Sequence, residues 1–339
     1  MLRNTEKLYT LAIYSSLIIF MRFLANRKKF YIISWTLVFL SFLSFFFIPK
    51  NYGIDMTGGL QVAYSADAPV SQMKLEEVRS EILDGYMFEW KDIVSDILIY
   101  SVNTSDIRMD IGLVSESDIK LAQKQVTDIR TSLPGFFQRH DIVVSELSFV
   151  SVGNSFGKFV LDRAYLTLTI CLISIAIYLM FAFRKSIEWA SNFSFGAITL
   201  GTLFYDIVVS SGMFIALGMI FPVLKVDTFF VTAILTILGF SINDTIVILD
   251  RIRSNYKNKK SGDKRSTKQI FEESIQISLR RSLYTSMTLV IVLICMLFFG
   301  PEALIGFTTL MLLGTITGTY SSICLAAPIL YDINTAKKI

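Results

Sequence analysis

Residues 228–253, TFFVTAILTILGFSINDTIVILDRIR, put Asn243 and Asp244 side by side in a run that otherwise reads as a membrane span. At about 1.5 Å per residue, Asp244 lies roughly 8 Å from the middle of a 228–249 helix, inside a hydrocarbon layer of ~30 Å. A carboxylate at that depth must face protein or water, pair with a cation, or hold its proton. Asp244 is therefore the first candidate for chemistry. The second is Asp206, near the centre of another apolar run, on a polar stripe with Thr199, Thr202 and Ser210. Arg281 opens a later run, with Thr285 and Thr288 on the same face. If these runs cross in alternation, Asp244 and Arg281 share the same half of the bilayer, and their depths allow them to pair. An isolated carboxylate keeps its proton, and one beside a guanidinium releases it. A pair made and broken by helix movement is then a proton switch. The plainer alternatives are a static ion pair, or an arginine that reaches the headgroups.

The elements that position these residues follow from composition. The chain has 339 residues, 53% of them hydrophobic, and a mean hydropathy of +0.56. That excludes an ordinary soluble enzyme and points to a membrane protein with one hydrophilic insert. Apolar runs at 30–48, 164–183, 193–218, 228–249, 283–299 and 304–327 predict six transmembrane helices. With the N-terminus inside, segments 1–29, 184–192, 250–282 and 331–339 hold twenty of the 32 Lys and Arg, and the short outside loops hold only Lys225. Both termini, the basic loop 250–282 and the tail 328–339 are thus expected in the cytoplasm, and 49–163 outside. The net charge of +4 reports this topology and not an affinity for nucleic acid.

Segment 1–29 contains a shorter apolar stretch, Leu8 to Phe20, read as an in-plane helix in preference to a signal peptide. No small-residue cleavage site follows it, and its basic cluster lies on the wrong side. The three cysteines, Cys171, Cys295 and Cys324, fall inside predicted spans, and the only histidine is His140. No metal cluster, nucleotide loop or catalytic constellation is present in the sequence, so neither a cofactor nor an enzymatic activity is expected.

In the exported segment, Gly53, Asp55, Gly58 and Gly59 form an entry motif where a membrane helix must become a strand. The remainder predicts strand 60–65, helix 71–84, strand 94–102, strand 106–113, a helix from Ile119 that stops at Pro134-Gly135, and strand 142–150. The order β-α-β-β-α-β is that of a ferredoxin-like α+β unit, read as a binding or lever module. Glycines at 153 and 157 suggest a bend, or a simple linker, before the second span. Thr232, Thr236, Gly239 and Asn243 stripe the fourth span, and Gly314 and Gly318 pair on the sixth. For these small and hydroxylated positions, close helix packing outranks a transport role; for the two aspartates the order reverses.

Seven stretches carry a resemblance: GIDMTGG (53–59), SVGNSFGK (151–158), YDIVVSSG (205–212), SINDTIVILDRIR (241–253), SLRRSLYTS (278–286), GPEALIGF (300–307) and GTYSSICLAAPIL (318–330). They resemble the motifs of the SecF family, membrane subunits of bacterial Sec protein export related to the resistance-nodulation-division transporters. The resemblance runs in order over roughly residues 20 to 330. It implies a bacterial inner-membrane protein that works with SecD, often with a small accessory membrane subunit, beside the SecYEG channel. Such a protein would use the proton-motive force to assist a precursor protein on the outer side. The family's proton-path aspartate falls on Asp244 and its arginine on Arg281, with Arg280 next door as the alternative. Met56 stands where Phe is usual and Asn154 where Pro is common. Tyr205 replaces a common histidine before Asp206, so no histidine role carries over.

Two further classes stand beside a proton-driven export subunit. One is a structural or assembly subunit in which Asp244 and Arg281 only hold spans four and five together. The other, half of a small-molecule exporter, is disfavoured because one small outer domain offers no evident ligand pocket. Six spans are half of the usual pseudo-symmetric transporter, so a second six-span partner is expected.

Overall fold

The computed structural model describes residues 23–86, 94–101, 105–113, 119–182, 192–258 and 265–336. The expected in-plane helix at Leu8 to Phe20 lies outside the described residues. Along the chain, α1 (Arg27–Phe47) leads through a single turn, α2 (Ile54–Thr57), into an α/β domain. The domain comprises β1 (Gly59–Ala66), α3 (Gln72–Tyr86), β2 (Val94–Ser101), β3 (Asp106–Leu113), α4 (Ile119–Arg139) and β4 (Val144–Val152). Long helices follow: α5 (Asn154–Ala182), α6 (Asn192–Gly218), α7 (Thr228–Lys257) and α8 (Thr267–Phe299). The chain closes with a 3₁₀ turn (Glu302–Leu304), α9 (Ile305–Ser321), a π-helical turn (Ser322–Ala326) and α10 (Ala327–Ala336). Six of these helical stretches are long and apolar enough to cross a membrane.

The domain's sheet is antiparallel throughout, in the order β2-β3-β1-β4. One face buries Leu60, Val62, Tyr64, Ile97, Met109 and Ile111 against Leu75, Val78, Ile82, Ile129 and Leu133 of the two helices. Alternation on β1 and β3 and the 3.6-residue spacing on α3 and α4 produce that single apolar layer. One sequence expectation changes here. Helix α4 does not stop at Pro134 but continues to Arg139, because the added turn buries Phe136 and Phe137, the latter 5.3 Å from the Tyr64 ring. A bulge between Ala63 and Tyr64 skips Leu147 in the pairing with β4, leaving it 61% exposed and not on the core face.

The spans also differ in length from the apolar runs. Helix α5 starts at Asn154, so Gly157 lies inside it rather than in a linker. A Cβ there would sit 2.6 Å from the Met56 carbonyl oxygen and 2.9 Å from the Gly58 nitrogen, so glycine alone permits α5 to rest on α2. Helices α7 and α8 extend well into the basic loop expected at 250–282. Asp227 caps α7 by accepting from the Phe230 N–H at 2.7 Å, and Ser266 with Gln269 forms a reciprocal capping box on α8. Hydropathy marks the lipid-buried part of such helices and is blind to their polar extensions.

Helix α9 crosses α7 closely, with Gly314 against Ile237 and Gly318 against Ser241; α1 packs on α6 where Gly212 meets Ser41. Pro328 cannot send an N–H back to the Cys324 carbonyl, and the widened turn lies just before it.

Candidate functional site

Asp244 is buried on α7, and its Oδ2 accepts the hydroxyl of Ser282 on α8. Arg281, beside Ser282 in sequence, is exposed on α8, as is Arg280. Among the described residues no ion pair within 4.0 Å joins either arginine to Asp244. The helices thus bring Asp244 and Arg281 to the same level, and a serine hydroxyl holds the carboxylate. A cavity of about 400 Å³ with a mixed lining opens at this end of α7 and α8, between Asp250, Arg251, Ser254, Ser278 and Arg281 and the apolar Val247 and Ile277. Asn243, next to Asp244, is exposed, as are Thr232, Thr236 and Gly239 on the same stripe.

Asp206 is fully buried on α6. Its Oδ2 accepts from Ser241 on α7 and from Ser321 at the end of α9, the latter at 2.9 Å. Oδ1 has no hydrogen-bond partner among the described residues. The hydroxyl ladder continues around it: Ser322 and Thr245 share a hydrogen bond of 2.8 Å, and Ser286 and Thr319 one of 2.6 Å. Ser241, Ser282, Ser321 and Ser322 carry no mark of function in the sequence. Each looks like a packing residue until a neighbouring helix supplies the carboxylate or hydroxyl it faces.

The entry motif forms a third polar cluster, at the joint between the α/β domain and the long helices. Gly53 N–H donates to the Val226 carbonyl at 2.9 Å and Val226 N–H to the Asn51 carbonyl at 2.7 Å, a short parallel pairing. Gly53 leaves room for this approach, since a Cβ would stand 2.7 Å from that of Asp227. Gly58 and Gly59 take φ of +78° and +143°, which favour glycine. Asp55 Oδ2 accepts the Thr228 N–H at 2.7 Å and also its hydroxyl, at the first turn of α7. Burial pushes the Asp227 carboxyl up to about 6, Asp55 adds to the rise, and the Phe230 N–H opposes it.

Two ion pairs from β3 complete this joint. Lys225 pairs with Asp110, which also accepts from Gln61 Nε2 at 2.7 Å; Arg108 reaches Glu302 at 2.8 Å. Burial works against the Lys225 charge, but Asp110 and Tyr100 outweigh it and raise the ammonium above its ordinary value. Arg108, Lys225, Asp55, Asp227 and Glu302 line a cavity of about 240 Å³ there. In sequence, Lys225 is visible only as the single cation of its loop. A larger cavity, about 830 Å³, lies between α1 and α6 and is mostly apolar, lined by Trp35, Phe42, Phe204, Tyr205 and Leu325.

Residues 136–336 match the family described as protein export membrane protein SecD/SecF, C-terminal. A relative from Sebaldella termitidis, named protein translocase subunit SecF, is 32% identical over 319 residues, covering 94% of this chain and 93% of its own. The chain belongs to the SecD/SecF family. A second SecF, from Haemophilus influenzae, is 31% identical over 92% of this chain and 85% of its own. Among solved structures, SecDF from Thermus thermophilus, described as a translocon-associated membrane protein, superposes with a TM-score of 0.72 at 26% identity. It covers 91% of this chain, which spans 38% of the SecDF chain. The SecD/SecF match takes in both aspartates and both arginines, whereas the entry motif at 53–59 precedes it. With its six apolar helices, this SecD/SecF chain is a multi-pass membrane protein.

Proposed function

We propose that the chain is a subunit of the Sec protein-export translocase that uses the proton-motive force to assist precursor export, with Asp244 as proton carrier and Arg281 as its switching partner. The observation that carries this reading is a buried intramembrane carboxylate, held by one hydroxyl, level with an arginine on the next helix. A carboxylate in that setting holds or releases a proton according to whether the guanidinium swings in. The cavity at the Arg281 end lies between the same two helices that carry Asp244 and Ser282.

The relatives' names support the export role, and the solved SecDF chain supports SecD as partner. So does Asn243, exposed on this chain, since an amide facing lipid would be unsatisfied unless a second set of helices covers it, whereas Thr232 and Thr236 already donate to carbonyls one turn back. SecYEG, a small accessory subunit and the precursor are the further partners in this reading. The basic ends of the helices face the cytoplasm of a bacterial inner membrane, both termini lie there, and residues 49–163 lie outside as a ferredoxin-like lever. The strand order β2-β3-β1-β4 with two helices on one face supports that fold reading.

The test is gradient-driven precursor export in membranes carrying Asp244→Asn, with assembly of the complex followed in parallel. Normal assembly with loss of the gradient-dependent part of export is expected; export at the wild-type rate would sink the reading. The hydrogen bond to Ser282, in place of an ion pair, favours a second reading in which Asp244 only braces α7 against α8. Under that reading the variant assembles poorly, or exports normally once assembled.

A further inference from the structure

We propose that Asp206 is a second proton-binding site, tied to the Asp244 region by the consecutive serines Ser321 and Ser322 of the last span. Its place in export rests on the proton-carrier reading above; its protonation does not.

Asp206 is walled in by three helices, and none of them offers a counter-charge. The groups that reach it are Ser241 on α7 and Ser321 on α9; Tyr205, next to it on α6, has Tyr320 and Cys324 as its own neighbours. Both hydroxyl donors converge on Oδ2, and Oδ1 is buried with no partner among the described residues. An anionic oxygen left bare in such a place carries a desolvation penalty with nothing to offset it. A proton on Oδ1 removes the charge and leaves Oδ2 as a carbonyl oxygen accepting two hydrogen bonds. Only that one O–H bond forms or breaks.

The link to Asp244 comes from the π-helical turn. Ser321 reaches Asp206 on α6, and Ser322 turns the other way to Thr245 on α7, the residue after Asp244. Both serines and Thr245 are fully buried. A π-turn holds one more residue than an α-turn, so closing it to α-helix rotates the preceding segment by about one residue, roughly 100°. Neither serine could then keep its partner. An ionised Oδ2 holds the Ser321 hydroxyl more strongly than a carbonyl oxygen does, so loading or emptying Asp206 biases the turn, and the turn carries that bias to the residue beside Asp244.

The experiment is infrared difference spectroscopy of the full-length protein in lipid vesicles, titrated with pH. Asp206→Asn is expected to remove one protonated-carboxyl band that Asp244→Asn leaves in place. Ser241→Ala with Ser321→Ala, which keeps the carboxyl, is expected to shift that band, and this pair stands in should Asp206→Asn fail to fold. Ser322→Ala is expected to move the titration midpoint of the band by about one unit, a tenfold change in proton affinity. A spectrum unchanged by Asp206→Asn overturns the site, as does a band that disappears with added sodium chloride but not with pH. A band present in wild type yet indifferent to Ser322→Ala overturns the link. The spectrum needs no export activity, so failure of the export reading would leave it interpretable.

Discussion

Ser282 is the closest partner of the carboxylate on which the proposed function depends, and it stands beside the arginine that the sequence points to. Its hydroxyl holds the Asp244 carboxylate in the absence of an ion pair with the guanidinium. Ser282→Ala removes that donor at a cost of about 1–3 kcal/mol to the buried carboxylate. Gradient-dependent export is expected to fall several-fold with assembly intact, and Ser282→Thr to restore most of it; an unchanged rate would show the hydroxyl to be dispensable. Asp227 gives a second test at this scale. Its folded value, about 6, lies above the ordinary 3.8, so its contribution to stability is fully present below about 4 and lost as pH rises through about 6. Asp227→Asn keeps a good helix cap and removes the titration. Thermal unfolding in detergent between pH 4 and 7 should slope downward for the native chain and more weakly for the variant.

Helices here are set by their contacts as much as by their hydropathy. Helix α5 begins ten residues before the apolar run because its first turns rest on α2, an approach that Gly157 allows. Gly157→Ala forces a methyl group into the Met56 carbonyl, and the backbone cannot yield as a flexible side chain would. The expected cost is about 1–3 kcal/mol, read as a lower midpoint in thermal unfolding with the α/β domain more readily cleaved by protease. Helix α4 makes the same point in reverse. Pro134 is a helix breaker by rule, yet burial of Phe136 and Phe137 outweighs the lost hydrogen bond.

At the scale of the molecule, the contacts that fasten the domain to the long helices among the described residues include the first turn of α7, the helix that carries Asp244. Movement of α7 is therefore delivered to Gly53, Asp55 and the sheet rather than absorbed by a flexible linker. The Lys225–Asp110 pair is the more buried of the two ion pairs there. Lys225→Met leaves Asp110 unpaired and is expected to loosen the joint by about 3–5 kcal/mol, seen as faster proteolysis between domain and spans. Adding Asp110→Leu should recover much of the loss, because the cost lies in the stranded charge. If the double variant is as labile as the single one, the pair is not what fastens the domain.

The sequence alone determined six apolar spans, one hydrophilic insert with its order of strands and helices, the family, and the two aspartates worth testing. Each is written in residue types at short range: runs of apolar side chains, alternation, and a charge where lipid should be. Tertiary structure decided which hydroxyl meets which carboxylate, that Arg281 makes no ion pair with Asp244, that Lys225 latches the domain, and that the last span widens from Ser322 on, just after a serine that meets a different helix. Those depend on residues brought together from distant parts of the chain. A serine, a lone lysine or a proline has no fixed meaning until another helix arrives beside it.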